Sequence, residues 1–418
     1  MHISKLKRTL ALVKKFSWTA FCLPLGLFFT APTALASAEL RNSELLSTYI
    51  DELARRHKAM MGISVHHRGK PLFDYFSGQA DHIPLIVGNL PKSPDSETRY
   101  KVGSVTKLFI ATATMQLVEQ GKLSLNRPIS DFFPSIPNAR NITINHLITH
   151  SSGLFNHIQS KDFSEYYFEP QSHSEMISRI AKYKPVFDPG TQYEYSNTNY
   201  LLLGYILEWV TDQPLDALIT NQIAAPLRLT NTQFCNKWEQ CEVNSQSYYY
   251  ADSDWHSVTP WAASSIGGAG ALVSTPKELN RFIEALFNQE LITTTSLNLL
   301  KPKASLPHSG VQEMHFYNQQ GFGYTGWIEG YYSLLVYFPE KSLSVAITIN
   351  GTHTPITPLS KDLMGLILDV PEVKLALNKQ HASKSGEEPS LLAKIYRKLE
   401  GRNNRMDATL GQLESTGY

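Results

Sequence analysis

Val102-Gly103-Ser104-Val105-Thr106-Lys107-Leu108 opens an apolar run that continues to Val118. The run has the composition of a helix, and on a helix residues three apart share a face. Ser104 and Lys107 would then stand side by side at its first turn. A serine hydroxyl is a weak nucleophile at its free pKa and needs a base beside it. A helix N-terminus also offers unpaired backbone N–H groups to developing negative charge. A second Ser-x-x-Lys, at Ser4 and Lys7, shows how easily the spacing arises by chance. The pair gains weight only from what else the chain contains.

Working outward from this stretch, the N-terminus reads as a processing signal. Lys5, Lys7, Arg8, Lys14 and Lys15 precede an uncharged run from Phe16 to Ala38, which ends in the small residues Ala34-Leu35-Ala36-Ser37-Ala38. That is the pattern of a cleavable export leader over residues 1–38, and a retained anchor is the alternative. Pro24, Pro32 and the small-residue ending favour cleavage. No second long apolar segment follows, so no membrane span is expected once the leader is gone. Outside the leader the chain has two cysteines, Cys235 and Cys241. In an exported protein an even count suggests a disulfide, here around Trp238, with two free thiols as the alternative. No further cysteine or histidine pair stands at metal-ligand spacing. The formal net charge of +1 over 418 residues, with no basic stripe, gives no reason to expect nucleic acid.

Strand signals lie at both ends and helical signals in the middle. A helix is expected over Leu45 to Lys58, then strands over Gly62 to His67 and Leu72 to Phe76 around the turn Arg68-Gly69-Lys70. Three prolines and a glycine make His82 to Glu97 a loop. Helical spacing recurs over Asn199 to Val210 and Pro214 to Ile223, whereas Cys235 to Pro260 has no clear period. Gly267-Gly268-Ala269-Gly270 reads as a flexible break before a helix from Pro276 to Leu286, opened by Thr275. Tyr332 to Phe338 and Leu343 to Ile349 form the clearest hairpin, and Leu359 to Leu368 a closing helix. One sheet built from both chain ends, with a helical lobe inserted, follows from this order. The expected boundaries are 39–370 for the domain, with its sheet lobe at about 39–103 and 265–370 and its helical lobe at about 104–264. Residues 371–418 read as linker and tail: Asn378 to Pro389 is polar, and Leu391, Leu392, Ile395, Tyr396 and Leu399 mark one face of a short basic helix.

A second motif lies in Phe187-Asp188-Pro189-Gly190-Thr191 and Tyr195-Ser196-Asn197. Tyr195 and Asn197, two apart, would point the same way. A tyrosine of lowered pKa beside a protonated lysine can take a serine proton. An asparagine offers both donor and acceptor to a substrate amide. By itself the pair would read as a core tyrosine and a helix cap.

Together, Ser104-x-x-Lys107, Tyr195-x-Asn197 and a Gly-containing strand before a terminal hairpin resemble the serine β-lactamase and penicillin-recognising hydrolases. The branch is that of class C β-lactamases, D-alanyl-D-alanine carboxypeptidases and related esterases. Leu147-Ile148-Thr149-His150-Ser151-Ser152-Gly153-Leu154, Pro189-Gly190, Tyr195-Ser196-Asn197-Thr198-Asn199-Tyr200 and Pro226-Leu227 resemble the family as well, over about Gly62 to Leu368. The resemblance implies an α/β/α sandwich with an antiparallel sheet and an inserted all-helical lobe, the active site lying between them. It implies Ser104 as acylated nucleophile, Tyr195 as general base, Lys107 as the cation holding Tyr195 ionised, and Asn197 on the substrate amide. How Lys107 and Tyr195 divide the proton transfer stays open. No metal or organic cofactor is implied.

The family's third motif, Lys-Thr-Gly or His-x-Gly, falls by position on Tyr324-Thr325-Gly326. The N–H groups of Ser104 and Trp327 would then form the oxyanion hole. Tyr324 departs from the pattern. It is neutral near pH 7 where relatives that bind a terminal carboxylate carry Lys or His. Trp327 is bulky where many carry a small residue. Both changes fit an ester or internal amide better than a free carboxylate. His315 is a candidate for the missing charge. His150 invites a Ser-His-Asp reading, but no Gly-x-Ser-x-Gly elbow is present and the Thr-His-Ser-x-Gly segment is structural in relatives.

The chain is therefore expected to be an exported serine hydrolase acting through an acyl-enzyme on D-alanyl peptides, related esters or β-lactams of peptidoglycan type, in the periplasm or secreted. A carboxylesterase of the same family and a non-catalytic penicillin-binding-like sensor or scaffold are the alternatives. Oligomeric state is not readable from the sequence.

Overall fold

The computed structural model describes residues 40–84, 89–303 and 308–382. The expected leader and the basic helix around Leu391 to Leu399 lie outside them.

Among the described residues nine strands form one sheet. Its central order runs His308–Ser309, Val311–Phe316, Gln319–Ile328, Tyr331–Phe338, Leu343–Thr352, Ala59–His67 and Lys70–Ser77, each antiparallel to its neighbour. The two chain ends meet in the middle, where Ile63 pairs with Ile347. This is the sheet expected from the strand signals at both ends. Strands Ala59–His67 and Tyr331–Phe338 are buried along nearly their whole length because helices cover both faces. On one face Met61, Ile63, Val65, Leu334, Val336 and Ile347 pack against Leu46, Ile50 and Leu53 of helix Ser43–Arg55 and Leu359 and Leu363 of helix Ile356–Ile367. The alternate side chains, Leu335 and Ala346 among them, join the core shared with helix Pro276–Phe287 and the inserted lobe.

Helix Thr106–Glu119 runs through the centre of that lobe, with every residue from Thr106 to Met115 buried. A helix surrounded on all sides has no polar face, which is why its apolar run is continuous. Phe109 stacks on Phe282 with ring centroids 3.7 Å apart, joining this helix to helix Pro276–Phe287. Burial of one such side chain contributes roughly 1.5–3 kcal/mol. The inserted segment also carries short strands. Gln233–Phe234 pairs with Leu272–Ser274, which pairs with Tyr100–Lys101, and Tyr248–Ala251 pairs with Asp254–Ser257 beside the main sheet.

Two local expectations are corrected. The segment read as loop over His82 to Glu97 contains a small antiparallel ladder, Asp81–Pro84 with Asn89–Lys92. Its two strands are four residues each, and Pro84 and Pro91 hide the alternation that marks a strand. Asn378 to Ala382, read as linker, continues helix Pro371–Ala382, whose Val373, Ala376 and Leu377 pack into the outer core.

Candidate active site

Ser104 sits in a single 3-10 turn, Gly103–Val105, that leads directly into helix Thr106–Glu119. Its Oγ lies 2.9 Å from Lys107 Nζ and 2.8 Å from Tyr195 Oη. Asn197, at the start of helix Asn197–Thr211, places Oδ1 2.8 Å from Lys107 Nζ and 3.4 Å from Tyr195 Oη. The four side chains of the first two motifs, about ninety residues apart in sequence, thus share one hydrogen-bonded cluster.

Lys107 is fully buried. Its third polar contact is the carbonyl of Ala269, at 2.7 Å. No carboxylate is among these partners, and burial pulls its pKa well below the usual lysine range. Burial pushes the Tyr195 phenol well above its usual range, against weaker opposite pulls from Ser104 and Tyr324. Both directions run against an ionised Tyr195 beside a protonated Lys107. Burial of Lys107 with no carboxylate beside it disfavours its charged form, and desolvation likewise disfavours the Tyr195 phenolate.

The third motif falls where the sequence puts it, on strand Gln319–Ile328, and a close backbone approach explains its glycine. A Cβ on Gly326 would stand 2.1 Å from Val102 O and 3.0 Å from Ser104 N. Gly103 faces it from the other side, at φ +50°, and a Cβ there would stand 2.9 Å from the backbone N, C and O of Trp327. The strand backbone at Gly326 and Trp327 therefore lies directly against the turn that holds Ser104. The side chains diverge. Trp327 is 45% exposed and Thr325 is buried. Tyr324 is only 2% exposed. Its hydroxyl lies 3.5 Å from His150 Nε2, and its electrostatic influence reaches the Tyr195 phenol. Tyr324 is thus buried beside His150, unlike the exposed Trp327 on the same strand.

His150 has a structural role in this geometry. Its Nδ1 accepts from Ser196 N–H at 3.2 Å, its carbonyl accepts from Glu194 N–H, and its ring packs on Tyr195 with centroids 4.6 Å apart. It holds the segment that delivers Tyr195. His315 is not part of the site. It pairs with Gln320 across the strands, four residues and roughly 13 Å from Tyr324, and its Nε2 lies 3.2 Å from Glu313. Cys235 and Cys241 are joined in a disulfide.

Two site components carry no sequence signal. Asn156 Oδ1 accepts from both the backbone N–H and the side-chain amide of Asn197, fixing that amide's orientation. Ala269 contributes only a carbonyl. It is delivered by the Gly267–Ala269 turn, read from sequence as a flexible break and here packed tightly, since a Cβ on Gly268 would meet Tyr200 O at 2.5 Å. No cluster able to hold a metal ion occurs among the described residues, and none of their helices is long and apolar enough to cross a membrane.

A family model for the Beta-lactamase family matches residues 47–368. The chain belongs to that family. As a Beta-lactamase family member it is a serine hydrolase of the β-lactamase and penicillin-binding-protein type. It is 27% identical over 312 residues to PbpX of Bacillus subtilis, which is named as a penicillin-binding protein, covering 74% of each chain. It is 24% identical over 263 residues to a teichoic acid D-alanine hydrolase of Staphylococcus aureus, covering 61% of this chain and 63% of that one. D-amino acid amidase from Ochrobactrum anthropi shares the fold, with a TM-score of 0.68 at 22% identity over 80% of this chain and 99% of that one.

Proposed function

We propose that this family member is an exported hydrolase that forms an acyl-enzyme on Ser104, acting on D-alanyl peptides, related esters or β-lactams. The observation that carries the reading is the placement of Ser104 Oγ within 3 Å of both a buried amine and a partly buried phenol. Export rests on the leader pattern of residues 1–38. The names of the Staphylococcus aureus and Ochrobactrum anthropi proteins both carry a D-amino acid, which supports a D-configured acyl group.

The proton route follows from the acceptors. Asn197 Oδ1 and Ala269 O can only accept, so two Lys107 N–H groups are committed to them. In the neutral amine the remaining position is a lone pair directed at Ser104 Oγ. Lys107 takes the serine proton as the Oγ–C bond forms. The N–H groups of Ser104 and Trp327 hold the resulting oxyanion. Tyr195 then gives its proton to the leaving atom as that bond breaks. It takes one back from the Lys107 ammonium, both groups being within 3 Å of the same oxygen. Water reverses the sequence to release the acyl group. With Asn197 Oδ1 taken by Lys107 and one amide N–H by Asn156, the second N–H of that amide is the group Asn197 would offer to a substrate carbonyl.

A neutral, buried Tyr324 favours substrates without a free carboxylate near the third motif. Purified wild type and Ser104→Ala protein, assayed against a D-Ala-D-Ala peptide, a p-nitrophenyl ester and nitrocefin, test the reading. Turnover of at least one by wild type, and of none by the variant, is expected. Equal turnover by both proteins would end it.

A further inference from the structure

Beyond the cluster around Ser104, the cleft strand opens onto a row of aromatic rings that the acylation chemistry does not use. Trp327 projects from the strand with 45% of its surface exposed, and Phe168 is 48% exposed. Trp261 bridges them. Its ring lies 6.1 Å from that of Trp327 and 5.7 Å from that of Tyr167, which packs at 4.1 Å on Phe168. These side chains come from three separate stretches of sequence, and adjoining exposed aromatics on one surface mark a binding surface more often than scattered ones do.

The row is held rigidly. Trp261 N–H donates to Glu329 Oε1 and its carbonyl accepts from the Trp238 indole at 2.6 Å. The other Glu329 oxygen pairs with Lys101 Nζ at 2.7 Å, with both side chains almost wholly buried, and Lys101 Nζ lies 4.0 Å from the centre of the Trp238 ring. Trp238 itself sits inside the Cys235–Cys241 disulfide loop. Ala262 N–H donates to Tyr167 O at 2.6 Å, tying the last pair of rings to the same wall. A fixed apolar wall loses little conformational freedom when a ligand group packs on it.

We propose that Trp327, Trp261, Tyr167 and Phe168 form a subsite for an aromatic or bulky aliphatic substituent on the acyl side of the substrate. The proposal rests on Ser104 being the acylated nucleophile. The leaving atom must take its proton from Tyr195, so the leaving group lies on the Tyr195 side of Oγ. With the carbonyl oxygen at the seam between Ser104 and Trp327, the remaining arm of the substrate carbonyl runs away from Tyr195, along the residue that bears the Trp327 ring. Substrates of this enzyme therefore carry more than a bare acetyl or alanyl group on the attacked carbonyl.

The test keeps one leaving group and varies the acyl group, comparing p-nitrophenyl acetate with p-nitrophenyl 3-phenylpropanoate for wild type, Trp327→Ala and Phe168→Ala. Wild type is expected to favour the phenylpropanoate in kcat/KM by roughly tenfold or more, the scale on which an apolar pocket discriminates. Each variant is expected to lose most of that ratio. A wild-type ratio near one with measurable acetate turnover would overturn the subsite and leave the serine chemistry standing. A preference that persists in both variants would likewise overturn it. Absence of turnover of either ester, with no adduct on Ser104, would overturn the serine chemistry and the subsite with it.

Discussion

Lys107 Nζ stands 2.9 Å from Ser104 Oγ, and its other two polar partners, Asn197 Oδ1 and Ala269 O, are acceptors without a negative charge. A lysine so placed is held below its ordinary pKa, and on the proposed route it would direct its lone pair at Ser104 Oγ. Its pKa falls below the ordinary 10.5 through burial. With neutral Lys107 as the proposed base, kcat/KM for a neutral ester should be lost as pH falls through that lowered value and should plateau above it. Lys107→Met should cut kcat/KM by about 10²–10⁴, the usual contribution of a positioned general base. A variant within tenfold of wild type would remove Lys107 from this role.

A Tyr324 that acts through Tyr195 and a Tyr324 that touches substrate predict different kinetics. Tyr324→Phe removes a buried hydroxyl 3.5 Å from His150, the residue whose ring packs on Tyr195. The expected result is a modest fall in kcat, with KM and the ratio of nitrocefin to p-nitrophenyl ester turnover unchanged. Tyr195→Phe, which removes the proposed proton donor, should be more damaging by at least an order of magnitude. A shift in the substrate ratio for Tyr324→Phe would restore a direct contact.

The Lys101–Glu329 pair is a buried charge couple that fixes the wall beside Trp327. Burial drives Lys101 down and Glu329 up in pKa, and each partner pulls the other back. Lys101→Met should lower stability by about 3–5 kcal/mol, because it strands a buried carboxylate. Adding Glu329→Gln should recover part of that loss. Denaturant midpoints of the two variants measure the difference, and a double variant no more stable than Lys101→Met would contradict the pairing.

His157 gives stability a defined acid limb. It is fully buried between Thr198 and the Ser265 carbonyl, which accepts its Nε2–H at 2.9 Å, and burial lowers its pKa from 6.5 to about 4. Above pH 6.5 the imidazole is neutral in folded and unfolded chains alike and adds no pH dependence. Between 6.5 and 4 only the unfolded chain binds the proton, so folding loses stability as pH falls, by about 3 kcal/mol in all at 1.36 kcal/mol per pKa unit. His157→Gln should flatten urea-unfolding free energies across that window. An equally steep fall in the variant would assign the acid limb to other groups.

Much of the architecture was legible because its signals are local. Strand Ala59–His67, the hairpin Tyr331–Phe338 and Leu343–Thr352, and helix Pro276–Phe287 behind its Thr275 cap all announce themselves by periodicity and punctuation. Ser104, Lys107, Tyr195 and Asn197 were found as side chains at fixed spacings, and the fold brings them together. What the sequence hid depends on packing. The burial of Tyr324 follows from neighbours distant in the chain. The pKa directions of Lys107 and Tyr195 follow from desolvation by the surrounding packing. Ala269 acts through a carbonyl, and any residue could have stood there. Strand Asp81–Pro84 was missed because its partner, Asn89–Lys92, carries the proline that argued against it.

Acylation of Ser104 is measured directly by intact-protein mass spectrometry. After exposure to a fluorophosphonate or a penicillin, wild type should gain the mass of one adduct, mapped by digestion to the peptide bearing Ser104, and Ser104→Ala should gain none. An adduct that persists on Ser104→Ala, or one mapped to a different residue, would contradict it.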